Sequence, residues 1–187
     1  DVNNSFNAQD YWVVKLSSTG MHEWDGVYGG NDYDMATSIR ETKDGSYIIA
    51  GYSSSSDGDV KDNNGDYDFW IIKITEKGLP SWRKSFGGTD EDKAISVSST
   101  MDGGYIVAGT SNSIDVMILD YYGDFDYWIV KLDSNGIKEW SRSYGGPSLD
   151  FGRSIEQTSD SGYIIAGYSF SNDGNIKGHH GETNTSD

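Results

Sequence analysis

The chain has 187 residues, with 14 Lys plus Arg against 30 Asp plus Glu and a formal charge of −16. That balance excludes a general nucleic-acid binder, which needs a basic surface to meet phosphates, and it opposes docking on anionic lipid heads. Cysteine is absent, which removes disulfides, thiolate metal sites and cysteine nucleophiles, while 24 glycines, 2 prolines and 13% aromatics suit a β protein with many tight turns.

Taken in chain order, residues 11–16 read as a strand that is apolar on both faces, with Trp12, Val14 and Leu16 on one side and Tyr11 and Val13 on the other. A turn at Ser18-Thr19-Gly20 leads into a second strand over 23–28, followed by Tyr28-Gly29-Gly30. A third strand is predicted over 36–42, and Asp44-Gly45 turns it into a fourth over 47–53. A long acidic loop, 54–66, then precedes Phe69-Trp70, where the series begins again. Tyr11-Trp12 recurs as Phe69-Trp70 and Tyr127-Trp128, at steps of 58 residues. Tyr47-Ile48-Ile49-Ala50-Gly51 recurs as Tyr105 to Gly109 and Tyr163 to Gly167 at the same step. The repeats are assigned as 1–58, 59–116 and 117–174, with 175–187 the start of a further repeat or a polar tail, all within one structural domain.

Every connection inside a copy is hairpin length, so the strands pair antiparallel, four to a copy. Strands buried on both faces need a layer above and below, which stacked copies provide. The predicted fold is therefore all-β: four-stranded antiparallel sheets stacked as β-propeller-like blades, about three blade equivalents with split half-blades at both ends. Trp12, Trp24, Trp70, Trp82, Trp128 and Trp140 fall on two recurring positions and are the expected repeat core.

Three blocks carry a family resemblance. Residues 126–146 follow D-Y-W-V-V-K-L-D-x-x-G-x-x-x-W-x-x-x-Y-G-G, residues 34–53 follow D-x-A-x-S-I-x-x-T-x-D-G-G-Y-I-V-A-G-Y-S, and 171–181 follow S-N-D-G-D-V-x-G-x-H-G. The pattern resembles the tandem propeller-type repeats of secreted and surface proteins from Bacteroidetes and similar environmental bacteria. The hairpin over 131–140 is also similar to the tryptophan-docking motif of quinoprotein-type propellers. These resemblances imply an extracellular, non-catalytic protein and imply no substrate.

The chain opens on the strand pair that ends a copy and closes on the pair that begins one, so each terminal sheet has an open edge. Those edges can pair within one chain, by exchange between two chains, head to tail in a filament, or with neighbouring repeats of a longer chain. Head-to-tail joining or a longer array is the leading reading, so the isolated chain is expected to self-associate or to fold poorly. Asp1-Val2-Asn3-Asn4 reads as the interior of a mature chain rather than a signal peptide, and no apolar run approaches the ~20 residues of a membrane helix.

Candidate sites are few. Asp57, Asp59, Asp62 and Asp66, with Asp115, Asp120 and Asp124 at matching places, could offer oxygens to Ca²⁺, although the EF-hand spacing is not met. The competing reading is a solvated loop closed by Asp and Asn turn bonds. Tyr33, Tyr121 and Tyr122 lie beside carboxylates and are candidates for glycan contact. Asn3 and Asn184 begin N-x-[ST] sequons. Lys15, Lys73 and Lys131 recur inside apolar strands and should be paired with carboxylates, Asp34, Asp92 and Asp150 being candidates. No catalytic constellation is present, so the expected role is structural or adhesive at a cell surface or outside the cell, with copies of itself or adjacent repeats as partners. A surface carbohydrate- or ligand-binding module is the alternative.

Overall fold

A computed structural model describes residues 8–115 and 123–177. The strands in order are β1 (Tyr11–Leu16), β2 (His22–Tyr28), β3 (Asp34–Glu41), β4 (Tyr47–Ser53), β5 (Asp68–Ile74) and β6 (Pro80–Phe86). They continue as β7 (Asp92–Ser99), β8 (Tyr105–Ser111), β9 (Asp126–Leu132), β10 (Lys138–Tyr144), β11 (Asp150–Gln157) and β12 (Tyr163–Ser169). All pairings between these strands are antiparallel: β1-β2 alone, β3-β4-β5-β6, β7-β8-β9-β10, and β11-β12 alone; one isolated bridge, Tyr67 to Glu91, is parallel.

The turns follow from residue type. Gly20, Gly78 and Gly136 sit at φ 79°, 76° and 76° in the tight turns β1-β2, β5-β6 and β9-β10, where a side chain would be strained. Ser161 takes φ 69° in the β11-β12 turn, where Gly45 and Gly103 stand in the other copies. Register slips between Ala36 and Ser38, Ala94 and Ser96, and Gly152 and Ser154 mark a recurring bulge, and a second recurs at Lys15/Leu16, Lys73/Ile74 and Lys138/Trp140. The first two bulges present a serine to the next sheet. Val97 N donates to Ser38 Oγ at 3.2 Å, and Ile155 N donates to Ser96 Oγ at 3.3 Å.

The core lies between sheets. β5, β8 and β9 are buried along nearly their whole length because they have a sheet on either side. β3 and β4 contact β7, and β11 contacts β7, β8 and β9. Ile48, Ala50, Phe69 and Ile71 pack with Val97, Val107, Trp128 and Val130 in one cluster. Ile106, Ala108, Ile129 and Ile155 form the next.

The propeller expectation is overturned. None of the described sheets closes into a barrel or a ring of blades; the described residues form two four-stranded and two two-stranded antiparallel sheets. A ring needs its first and last sheets to cover one another. Here Trp12 and Leu16 on β1 remain 67% and 49% exposed, and Ile164 on β12 remains 62% exposed. The tryptophan core is corrected in the same way. Trp70 and Trp128 are buried, Trp24, Trp82 and Trp140 are half-buried, and Trp12 faces solvent because among the described residues no sheet covers that face of β1.

The strand lysines are paired within their own sheets rather than to Asp34, Asp92 or Asp150. Lys131 Nζ is 2.9 Å from both Asp102 Oδ2 and Glu139 Oε2, Lys73 Nζ is 2.8 Å from Asp44 Oδ2, and Lys15 Nζ is 2.9 Å from Glu23 Oε2. Lys131 is only 2% exposed, whereas its carboxylate partners keep contact with water. Lys131→Met is therefore expected to change stability by less than ~1 kcal/mol, since it leaves no buried unpaired charge. Lys131→Ala, which also removes the buried aliphatic stem, should cost about 2 kcal/mol. Urea denaturation of the two variants checks this; equal losses would show that the ion pairs, not the packing, hold the strand.

Candidate assembly surfaces and a buried carboxylate corner

Each junction between sheets is built from the same parts. The aromatic residue that precedes each strand tryptophan reaches forward onto the tryptophan of the next copy. Tyr11 meets Trp70 with ring centroids 4.5 Å apart and donates its hydroxyl to the Trp70 carbonyl at 2.9 Å. Phe69 meets Trp128 at 4.4 Å. The second tryptophan of each copy reaches the next turn: Trp24 Nε1 donates to Glu76 O at 2.9 Å and Trp82 Nε1 to Ser134 O at 3.3 Å. Their rings lie over Gly78 and Gly136, where a Cβ would come within 3.0 Å and 2.9 Å of the indoles. The turn glycine thus serves both its own backbone and its neighbour's ring.

At the two ends this junction is half made. At the first, Trp12 and Val14 border a groove of about 280 Å³ with Ala36, Thr37, Ser38 and Ile39. At the other, Tyr127, Ile129, Trp140, Tyr144, Tyr163 and Ile165 line a cleft of about 320 Å³. β1 is paired on one edge, to β2, and β12 on one edge, to β11.

A second feature recurs at the Gly-Gly corners. Asp34, Asp92 and Asp150 each accept a bond from the backbone of the corner's second glycine, at 2.8, 2.7 and 2.8 Å. Each also accepts from a serine hydroxyl of the following loop: Ser55, Ser113 and Ser171, at 3.0, 2.8 and 2.8 Å. A second carboxylate flanks each first glycine: Asp10 at Gly29, Asp68 at Gly87 and Asp126 at Gly145. Burial pushes Asp68 up to about 7, with the Asp92 and Asp115 charges adding to it and one backbone bond from Asn64 opposing. Burial likewise pushes Asp92 up to about 6, against bonds from Ser111, Gly88 and Ser113. Asp34 is raised for the same reason. Asp68 Oδ1 is buried with no hydrogen-bond partner among the described residues, which disfavours the ionised carboxylate there as the raised value does.

The loop carboxylates proposed as calcium ligands do not converge. Asp57 accepts from Asn31 N at 2.8 Å and from the Asn31 side chain, which ties the loop to the Gly-Gly corner. Asp59 pairs with Arg83 at 2.8 Å. Asp115 lies against Gly88 as Asp57 lies against Gly30, while Asp62, Asp66 and Asp124 are exposed. Among the described residues no group of three or more acidic, histidine or cysteine side chains is placed to hold a metal ion. Tyr33 is exposed, and its backbone N–H donates to Ser54 Oγ at 3.1 Å. Asn3, Asp120, Tyr121, Tyr122 and Asn184 lie outside the described residues. Sequence reasoning missed the corner pairs. Their signal was an Asp directly before the aromatic-tryptophan pair in all three copies, set against an Asp at fixed distance after each Gly-Gly.

The fold and these surfaces define a repetitive all-β protein. No protein-family model and no curated protein matches the sequence. A solved structure, a protein of unknown function from Bacteroides caccae, is similar over 83% of this chain and 50% of its own, at 12% identity and a TM-score of 0.48. The chain thus spans half the length of that relative, and at such distance the likeness assigns neither fold nor function. The resemblance to propeller-type repeats is corrected by the sheets themselves, none of which closes among the described residues. Among the described residues no helix is long and apolar enough to cross a membrane.

Proposed function

We propose that the chain is a non-catalytic structural or adhesive repeat protein that works at a cell surface or outside the cell by joining other repeats through its open sheet ends. The carrying observation is one contact, seen buried twice and bare once: Trp70 is 1% exposed and Trp128 0%, yet Trp12 is 67% exposed. Burying an indole of this size is worth about 2–3 kcal/mol, so an uncovered copy favours a partner shaped like the neighbour it lacks. The charge of −16 supports the same reading, because it keeps an extended assembly soluble and repels unrelated acidic surfaces. Sedimentation velocity over a wide concentration range tests it. Mass-average size should rise with concentration; a strictly monomeric chain at several hundred micromolar would overturn the reading.

A further inference from the structure

The two open ends are complementary to one another, residue by residue, and the internal junctions show how. Building on the assembly reading, we infer that β12 of one copy pairs antiparallel with β1 of a second copy in a single register. In that register Tyr163 lies opposite Leu16, Ile164 opposite Lys15, Ala166 opposite Val13 and Gly167 opposite Trp12. The register is the one that β4-β5 and β8-β9 share. Tyr47 pairs with Ile74 and Gly51 with Trp70 in the first, and Tyr105 pairs with Leu132 and Gly109 with Trp128 in the second.

Side chains left exposed on separate faces of the chain then meet as their equivalents do inside it. Tyr127 covers the partner copy's Trp12, as Tyr11 covers Trp70 and Phe69 covers Trp128. Ile164 and Ala166 receive Ile39, as Ile106 and Ala108 receive Ile155. Ile164 and Ile39 are 62% and 45% exposed in the free chain. Ser154 Oγ accepts from Ile39 N, continuing the bonds from Val97 N to Ser38 and from Ile155 N to Ser96. Trp140 lies over Gly20, whose φ of 79° and open surroundings match those of a turn awaiting an indole.

This is a heterologous contact, since one copy's tail surface receives another's head, so each added copy presents a fresh tail. The occupant is a second copy because backbone ladder, aromatic cover and serine acceptor all fit it at one 58-residue step. Glycine at 167 belongs to this contact too. A Cβ there would meet first the Phe151 carbonyl of its own sheet and then the Tyr127 hydroxyl, as one at Gly51 would meet the Met35 carbonyl and then the Tyr11 hydroxyl, so the bare position serves the strand pairing and the aromatic cover together.

The cysteine-free chain allows a direct test. Singly substituted Ile164→Cys and Lys15→Cys chains are mixed and oxidised, as are Ala166→Cys and Val13→Cys. In-register pairs should give disulfide-linked dimers. Ile164→Cys with Val14→Cys, one residue out of register and on the opposite face, should not. Trp12→Ser, at an exposed site that leaves the fold intact, should weaken self-association about 30-fold or more. If the chain associates but Trp12→Ser has no effect and both registers cross-link alike, this junction is wrong while the assembly reading stands. If the double variant Lys15→Cys, Ile164→Cys links within one chain at high dilution, the occupant is the chain's own head and the second-copy assignment is overturned. If no concentration produces association, the assembly reading itself fails.

Discussion

Trp128→Ala is expected to destabilise the chain by about 3–5 kcal/mol, whereas Trp12→Ala, at the equivalent place in its copy, should cost less than ~1 kcal/mol. The residues are chemically identical and their local sequences nearly so. They differ in what lies above them. Trp128 is fully buried beneath Phe69, within a cluster that also holds Ile71, Val107 and Val130. Removing its ring leaves a cavity that the stiff β-branched neighbours cannot fill. Trp12 keeps only its edge contacts and a long bond from its Nε1 to Asp25 at 3.4 Å. Trp70→Ala, beneath Tyr11, should resemble Trp128→Ala. Urea denaturation at concentrations where the chain is monomeric reads all three. A Trp12→Ala loss as large as that of Trp128→Ala would mean that a sheet covers β1 in solution.

That contrast shows what was legible in the sequence. Strand positions were, because alternation and turn chemistry are local. Residues 11–16 and 47–53 read as strands at the bounds of β1 and β4, and 23–28 falls short of β2 only by His22 at its start. The stacking of copies was legible too, since Ile71, Ile72 and their neighbours are apolar on both faces of β5. Closure was not legible. The contact of Tyr11 on Trp70 is satisfied equally in an open stack and in a ring, so no residue within a repeat encodes how many sheets follow or whether they return to the start. The fate of each tryptophan depends on its place in the stack, and Trp12 and Trp128 carry no local mark of that difference.

The roles of the carboxylates were only partly legible for a related reason. Asp57 and Asp59 drew attention as a dense acidic run, but density on a surface loop reflects solvation, and both are used to fasten the loop. The carboxylates with unusual chemistry, Asp68 and Asp92, sit beside aromatic and glycine residues that define strand starts. Burial, not spacing, sets their protonation, and burial at the corner arises only when Gly87 brings two strands together.

Those buried acids predict a pH dependence opposite to that of most proteins held by salt bridges. The folded values of Asp68, about 7, and Asp92, about 6, stand above the ordinary value of 3.8. The native state therefore binds protons that the unfolded chain has released. Their contribution to stability is fully present below pH 3.8, is lost as pH rises through 6 and 7, and is absent above. Between pH 5 and pH 8 the loss is on the order of 4 kcal/mol, taking about 1.4 kcal/mol for each pH unit per group. The mutual repulsion of a chain at −16 acts in the same direction. Asp44 and Asp102 have the opposite sign. Hydrogen bonding from Lys73 first and Thr42 next holds Asp44 well below the usual carboxylate range, and bonds from Thr100 and then Lys131 do so for Asp102. Their contribution is present above pH 3.8 and is lost only as pH falls further, so it leaves the window from 5 to 8 untouched. The chain should accordingly be most stable near pH 4–5 and resist urea less at pH 8. Asp68→Asn places an amide where the unpartnered Oδ1 lies and removes the ionisation, so it should abolish most of the slope while leaving stability at pH 5 within ~1 kcal/mol. Denaturation curves of both proteins at pH 5, 6, 7 and 8 decide the matter: stability that climbs from pH 5 to 8, or an Asp68→Asn slope equal to that of the parent, would refute a protonated carboxylate corner.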